Sequence, residues 1–233
     1  MKRIAFYGGS FDPVHDGHLT IGRKLSEIFE LDEFVFIPAF HAPHKKDKKP
    51  TSAFHRFAML ALTTSDEPQI KISKMEIEAP ERPFTIETLT RLKNDLTDAK
   101  IFFVMGADSW QDITTWREWE KVLTLVNIIV VTRPDYEIVF SHLTKEIRER
   151  IVDLRENFNA PTPSGENARK ENEEQARRLS PQTEDRIYIT DAVQIDVSAT
   201  EIRRKIREGA DDWQEFLPPE VIKYIEKYGL YLK

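Results

Sequence analysis

Apolar positions in the first two-thirds of the chain switch between two periods. RIAFY (3–7), EFVFIP (33–38), QIKIS (69–73), KIFFVMG (100–106) and NIIVVTR (127–133) are short runs rich in β-branched and aromatic residues. Such runs suit strands covered on both faces. Helical spacing fills the gaps. It runs from about His18 to Glu30, then from the cap candidate Ser52 through AFHRFAMLALTTS, then from Thr85 with Leu89 and Leu92 on one face. The tryptophan-rich ADSWQDITTWREWEKVL separates the last two strands. This alternation predicts an α/β fold, a Rossmann-like open and mainly parallel sheet with helices on both faces. Ligands of such sheets sit beyond the carboxyl ends of the strands.

Residues 137–186 read differently. HLTKEIRERIVDLRENF places Leu143, Ile147, Ile151, Leu154 and Phe158 at helical spacing, which predicts one amphipathic helix. The stretch after it, NAPTPSGENARKENEEQARRLSPQTEDR, is polar, with Leu179 almost its only large apolar side chain. It cannot bury enough surface to order easily and reads as an exposed insertion. Apolar patterning returns with IYIT and VQIDV. SATEIRRKIREG then reads as a capped helix, and LPPEVIKYIEKYGLY as a closing one, with Pro219 near its start and Gly229 past its end. The expectation is one domain over 1–233, with a charged, partly helical insertion at about 137–186 and a small C-terminal helical part.

Composition narrows the function. A net charge of −6 argues against a general nucleic-acid binder, so cations for an anionic substrate must be concentrated locally. Zero cysteines exclude disulfides, a thiol nucleophile and a cysteine zinc site. No apolar stretch approaches the roughly 18 residues of a membrane span. The chain runs from its start into a strand without a signal-peptide pattern, so a cytoplasmic address is expected.

GGSFDPVHDGHL (8–19) joins the first strand to the first helix. Gly8 and Gly9 let backbone approach a phosphate, and free amides at the helix start would face it. Neither the P-loop nor the dinucleotide fingerprint is present, and no lysine stands where a P-loop needs one. Two imidazoles beside phosphates suit transfer at phosphorus, where donors must already be aimed at the developing charge. A glycine turn with two surface histidines is the plain structural alternative. Likewise, Ser198 and Glu201 fit a capping box, and Arg203, one turn in, could reach a phosphate. Thr85 fits an ordinary cap, AFHAPHKKDKK (39–49) a solvated lysine run, and Trp110 and Trp119 a core.

GGSFDPVHDGHL, paired with VSATEIRRK (197–205), resembles the H-x-G-H nucleotidyltransferases, and more narrowly the bacterial nicotinate-nucleotide adenylyltransferases. The resemblance covers roughly 1–135 and 187–233. It implies catalysis by His15 and His18. It implies binding of ATP and its phosphates by Gly8, Gly9, Ser10, Phe11, His44, Lys45, Arg133, Ser198 and Arg203. Thr85, Gly106, Asp108 and Trp116 would receive nicotinate mononucleotide, with Thr85 and nearby amides on the nicotinate carboxylate and Trp116 stacked on the pyridine ring. The cofactor would be Mg²⁺ carried by ATP, with no metal site in the protein, and the products deamido-NAD and pyrophosphate. The partners would be these two small molecules, with no nucleic acid and no membrane; a homo-oligomer stays open. Other phosphate acceptors, nicotinamide mononucleotide among them, and a non-catalytic nucleotide-binding module are the alternatives.

Overall fold

In β1 (Lys2–Gly9) all four residues of IAFY are buried, with Ile4 and Phe6 in one apolar cluster and Ala5 and Tyr7 in another. A strand covered on both faces belongs in the middle of a layered sheet, and the computed structural model places β1 there. The structure describes residues 1–40, 50–79, 81, 83–133, 137–155, 185–193 and 197–232.

Among the described residues, seven strands form one parallel sheet in the order β3-β2-β1-β4-β5-β7-β6. The others are β2 (Glu33–Pro38), β3 (Ile70–Ile72), β4 (Ala99–Gly106), β5 (Asn127–Val131), β6 (Ile151–Asp153) and β7 (Ile187–Thr190). On one face pack α1 (Asp16–Ile28), α2 (Ala53–Thr63), α7 (Ala199–Glu208) and α8 (Pro219–Tyr228), through Leu25, Met59, Ile202 and Val221. The other face carries α3 (Thr85–Asp95), α4 (Ala107–Gln111), α5 (Trp119–Leu125) and α6 (Lys145–Arg148), through Leu89, Trp110, Val122 and Ile147. Trp110 is fully buried and Trp119 packs against the same cluster. The doubly wound sheet read from the sequence is the fold observed.

The single helix expected from 142 to 158 is not. Among the described residues Lys145–Arg148 is a short helix and Ile151–Asp153 forms the edge strand β6, with Ile151 opposite Ile187, so the stretch is not one continuous helix. Ile151 and Val152 are adjacent β-branched residues, and the free edge of β7 offers them a ladder that helical spacing cannot match. Part of the stretch read as an insertion thus contributes a strand to the sheet. Phe158, Leu179 and the polar run between them lie outside the described residues.

β1 sends its chain to α1 on one face, while β4, its neighbour, sends its chain to α4 on the other. The strands diverge at Gly9 and Gly106, and this switch point positions the site. At the opposite end of the sheet Asn127 is fully buried. Its Nδ2 donates to Ile101 O and Asp185 Oδ1, both at 3.1 Å, and its Oδ1 accepts from the Arg186 amide at 3.0 Å. Asn127→Leu leaves those groups unpaired and is expected to cost about 3 kcal/mol, seen as a lower urea midpoint at unchanged slope.

Candidate active site

The turn after β1 is built without regular backbone pairing. A Cβ on Gly9 would stand 2.8 Å from the Phe11 ring, and Phe11 itself has φ +48°. Side chains hold this turn from behind. Asp12 is buried: Oδ2 accepts from the Thr51 amide at 3.1 Å, Oδ1 accepts from the Tyr231 hydroxyl at 2.7 Å, and its carbonyl accepts from Arg203 Nη1. Arg56, on α2, is 0% exposed. It donates to the carbonyls of Thr51 (2.9 Å), Ser10 (2.6 Å), Ala39 (2.6 Å) and Phe40 (3.1 Å).

His15 is the N-cap of α1 and His18 stands in its first turn, both buried. The His15 amide donates to His18 Nδ1 at 3.2 Å, so His18 fills the role a glutamate has in a capping box. That bond needs a lone pair on Nδ1 and leaves Nε2 to carry the proton. The two rings stack at 3.7 Å between centroids, tilted by 30°. Burial, then the Arg133 charge, push His15 down to about 3; burial, then His15 and Arg133, hold His18 well below its ordinary value. Both are neutral at pH 7. A Cβ on Gly17 would lie 2.8 Å from Val197 Cγ1 and 3.1 Å from the His15 ring, so α1 and the approach to α7 nearly touch.

A cavity of about 350 Å³ opens at this point. It is bordered by Gly8, Gly9, Ser10, Phe11, His15 and His18 on the β1 side, and by Ser198, Ala199, Thr200 and Arg203 at the start of α7. Arg133, just past β5, lines it too. Toward α3 the walls are Glu76, Phe84, Thr85, Gly106, Asp108 and Trp116. The structure therefore gathers His15, His18, Gly8, Gly9, Ser10, Phe11, Arg133, Ser198, Arg203, Thr85, Gly106, Asp108 and Trp116 around one space. His44 and Lys45 lie outside the described residues.

Three local expectations change. Ser198 caps α7 without a side-chain hydrogen bond, and Glu201 pairs with Arg204 instead of closing a capping box. Thr85 is the first helical residue of α3 rather than its cap; the cap is Phe84, whose amide donates to Glu87 Oε2 at 2.9 Å. The amide of Asp16, first in α1, is taken by the carbonyl of Phe216 at 3.0 Å, so it does not face the cavity unpaired.

Sequence reading missed Arg56, Asp12, Glu76 and Tyr231. Arg56 left a trace, a charge on the apolar face shared by Ala53, Met59 and Leu60. Glu76 left none: its Oε1 accepts from Thr88 Oγ1 at 2.9 Å, and burial raises its pKa.

A cytidylyltransferase-like family model matches residues 6–205. A curated protein of Desulfatibacillum aliphaticivorans named "Probable nicotinate-nucleotide adenylyltransferase" is 35% identical, over 99% of this chain and 100% of its own. One of the same name from Corynebacterium jeikeium (strain K411) is 31% identical, over 97% and 98%. Among solved structures, Plasmodium falciparum nicotinic acid mononucleotide adenylyltransferase complexed with NaAD superposes with a TM-score of 0.69. It is 22% identical, over 99% of this chain and 98% of that one, and the likeness is one of fold.

The buried imidazoles set a pH dependence. In the unfolded chain they take up protons near pH 6.5, whereas folded His15 does so only near pH 3, so stability falls as pH drops through that window. Nitrogen-15 spectra of the free protein are expected to show both rings neutral from pH 8 to about 5, with the His18 proton on Nε2. Thermal midpoints should decline below about pH 6.5, and less steeply in His15→Asn.

Proposed function

Since the chain belongs to the cytidylyltransferase-like family, we propose that its cavity transfers the adenylyl group of ATP to nicotinate mononucleotide, giving deamido-NAD and pyrophosphate for NAD biosynthesis. The observation that carries this reading is the pairing of His15 and His18 with Arg203, Ser198 and Arg133 around one space at the switch point. An oxygen of the acceptor 5′-phosphate forms the new bond to the α-phosphorus of ATP. The bond from that phosphorus to the bridging oxygen breaks on the opposite side, and its electron pair leaves with pyrophosphate. The attacking phosphate is already a nucleophile, so no covalent enzyme intermediate is needed, and the protein's work is alignment and charge stabilisation.

In this reading His18 presents Nε2–H to the nonbridging oxygens, and Arg203 and Arg133 supply fixed positive charge. Ser198, with no cap bond to make, and the first amides of α7 receive the phosphates of the leaving group. The loop holding His44 and Lys45 leaves the described chain at Phe40 and rejoins it at Pro50. Arg56 fixes the carbonyls of Ala39 and Phe40 before that stretch and of Thr51 after it, and the roles of His44 and Lys45 on the phosphates rest on the resemblance alone. Among the described residues no three carboxylate or imidazole side chains converge as a cage, and Asp12 and Glu76 already have partners. Magnesium would come with the nucleotide and screen the charge of its phosphates.

The acceptor end has an indole for a flat ring and the N-terminus of α3 for an anion. Asp108 suits a ribose hydroxyl. Glu76 is the one observation favouring a carboxamide there, since a carboxyl oxygen can accept from an amide. Thr88 occupies one of its oxygens and burial favours its uncharged form, which removes most of that advantage.

Two measurements test the assignment. His18→Ala is expected to lower turnover by about 10²–10³, far more than the roughly 1–2 kcal/mol of stability lost with its cap bond and stacking, and an unchanged rate would overturn the role of His18. Pyrophosphate release with ATP and magnesium should favour nicotinate over nicotinamide mononucleotide by at least about tenfold in kcat/KM. Equal rates would remove the carboxylate argument.

A further inference from the structure

The chain end grips the histidine-bearing turn at two places. The carbonyl of Phe216 accepts from the Asp16 amide at 3.0 Å, and the Tyr231 hydroxyl donates to Asp12 Oδ1 at 2.7 Å. His15 lies between the two attachment points. Tyr231 has φ +69°, a left-handed backbone that side chains of its size rarely adopt and that persists only where its surroundings fix it. The bond to Asp12 is such a constraint.

Asp12 passes the constraint on. Its second carboxylate oxygen takes the Thr51 amide, and its carbonyl takes Arg203 Nη1, whose Nη2 also reaches Thr200 Oγ1 at 3.1 Å. One buried residue therefore joins the chain end, the turn before His15, and the arginine from the facing helix. α8 is anchored independently, through Val221 and Ile225 in the core and the 2.9 Å contact between Tyr224 Oη and His55 Nδ1 on α2. Losing the Tyr231 hydroxyl would leave that helix docked while leaving the Asp12 carboxylate held on one oxygen, by the Thr51 amide.

We infer that Tyr231 is a positioning residue for adenylyl transfer, acting through Asp12 to set the turn that carries His15 and the guanidinium of Arg203. This rests on the reading of His15, His18 and Arg203 as the groups around the triphosphate. It separates the two ends of the cavity: the link reaches the phosphate end and none of the walls near Thr85 and Trp116.

The test is Tyr231→Phe, which keeps the ring and removes one donor. Calorimetric titration with α,β-methylene-ATP is expected to show about tenfold weaker binding. Steady-state kinetics should show a similar rise in KM for ATP and a fall in kcat, with KM for nicotinate mononucleotide unchanged. In an Asp12→Ala background, Tyr231→Phe should add nothing, because the route through Asp12 is already broken. Unchanged analogue binding, equal weakening of both substrates, or additive effects in the double variant would each overturn the inference. Should Asp12→Ala fail to fold, analogue binding by Tyr231→Phe alone decides the matter. Failure of the functional reading would look different: the wild type would release no pyrophosphate with either mononucleotide, while the binding comparison would still report on Tyr231.

Discussion

The Arg56 guanidinium, enclosed by protein and bonded to four backbone carbonyls, is the interaction on which the site depends. Taking a cation out of water costs several kcal/mol, and only well-aligned charge-assisted bonds offset it. Ser10, Ala39, Phe40 and Thr51 belong to segments that no strand ladder organises, and their carbonyls point inward to a common centre. A planar fork of donors can serve several directions at once where a lysine ammonium could not. The chain after β1 and the chain after β2 are consequently fixed to each other before any substrate arrives. Asp12, within the first of these segments, extends the same framework to Arg203 and Tyr231.

The electrostatics follow from that enclosure. Two stacked, buried imidazoles, with an arginine charge nearby, are held neutral. Among the described residues Arg133 and Arg203 bring positive charge to the cavity beside the two imidazoles. The net charge of −6 is no obstacle to binding polyphosphate, because these cations are concentrated at the single point where the sheet reverses its winding.

Most of the sheet was legible in the sequence, since strands covered on both faces leave uninterrupted apolar runs. The histidine turn was legible because its glycines and imidazoles sit within a dozen positions. What escaped was decided by distant partners. Ile151 satisfies helical spacing as well as any residue in 142–158, and the open edge of β7 selects a strand for it and Val152. Asp12 and Tyr231 stand 219 positions apart, and neither has a local pattern that announces the other. Ser198 and Glu201 have the spacing of a capping box, yet Arg204 competes for the glutamate with a bidentate pair of bonds. Local chemistry set the candidates in each case, and tertiary neighbours chose among them.

Gly17 carries no chemical group, yet it sets the aperture of the phosphate end. A methyl group at its α-carbon would stand 2.8 Å from Val197 Cγ1 and 3.1 Å from the His15 ring, so that α1 and the chain leading into α7 would have to shift. The motif is therefore also a gauge, calibrated to tenths of an ångström by an atom that takes no part in the reaction. A side chain at this position would press on the buried His15 ring and on the chain leading into α7 together, so the two walls of the cavity share one steric constraint.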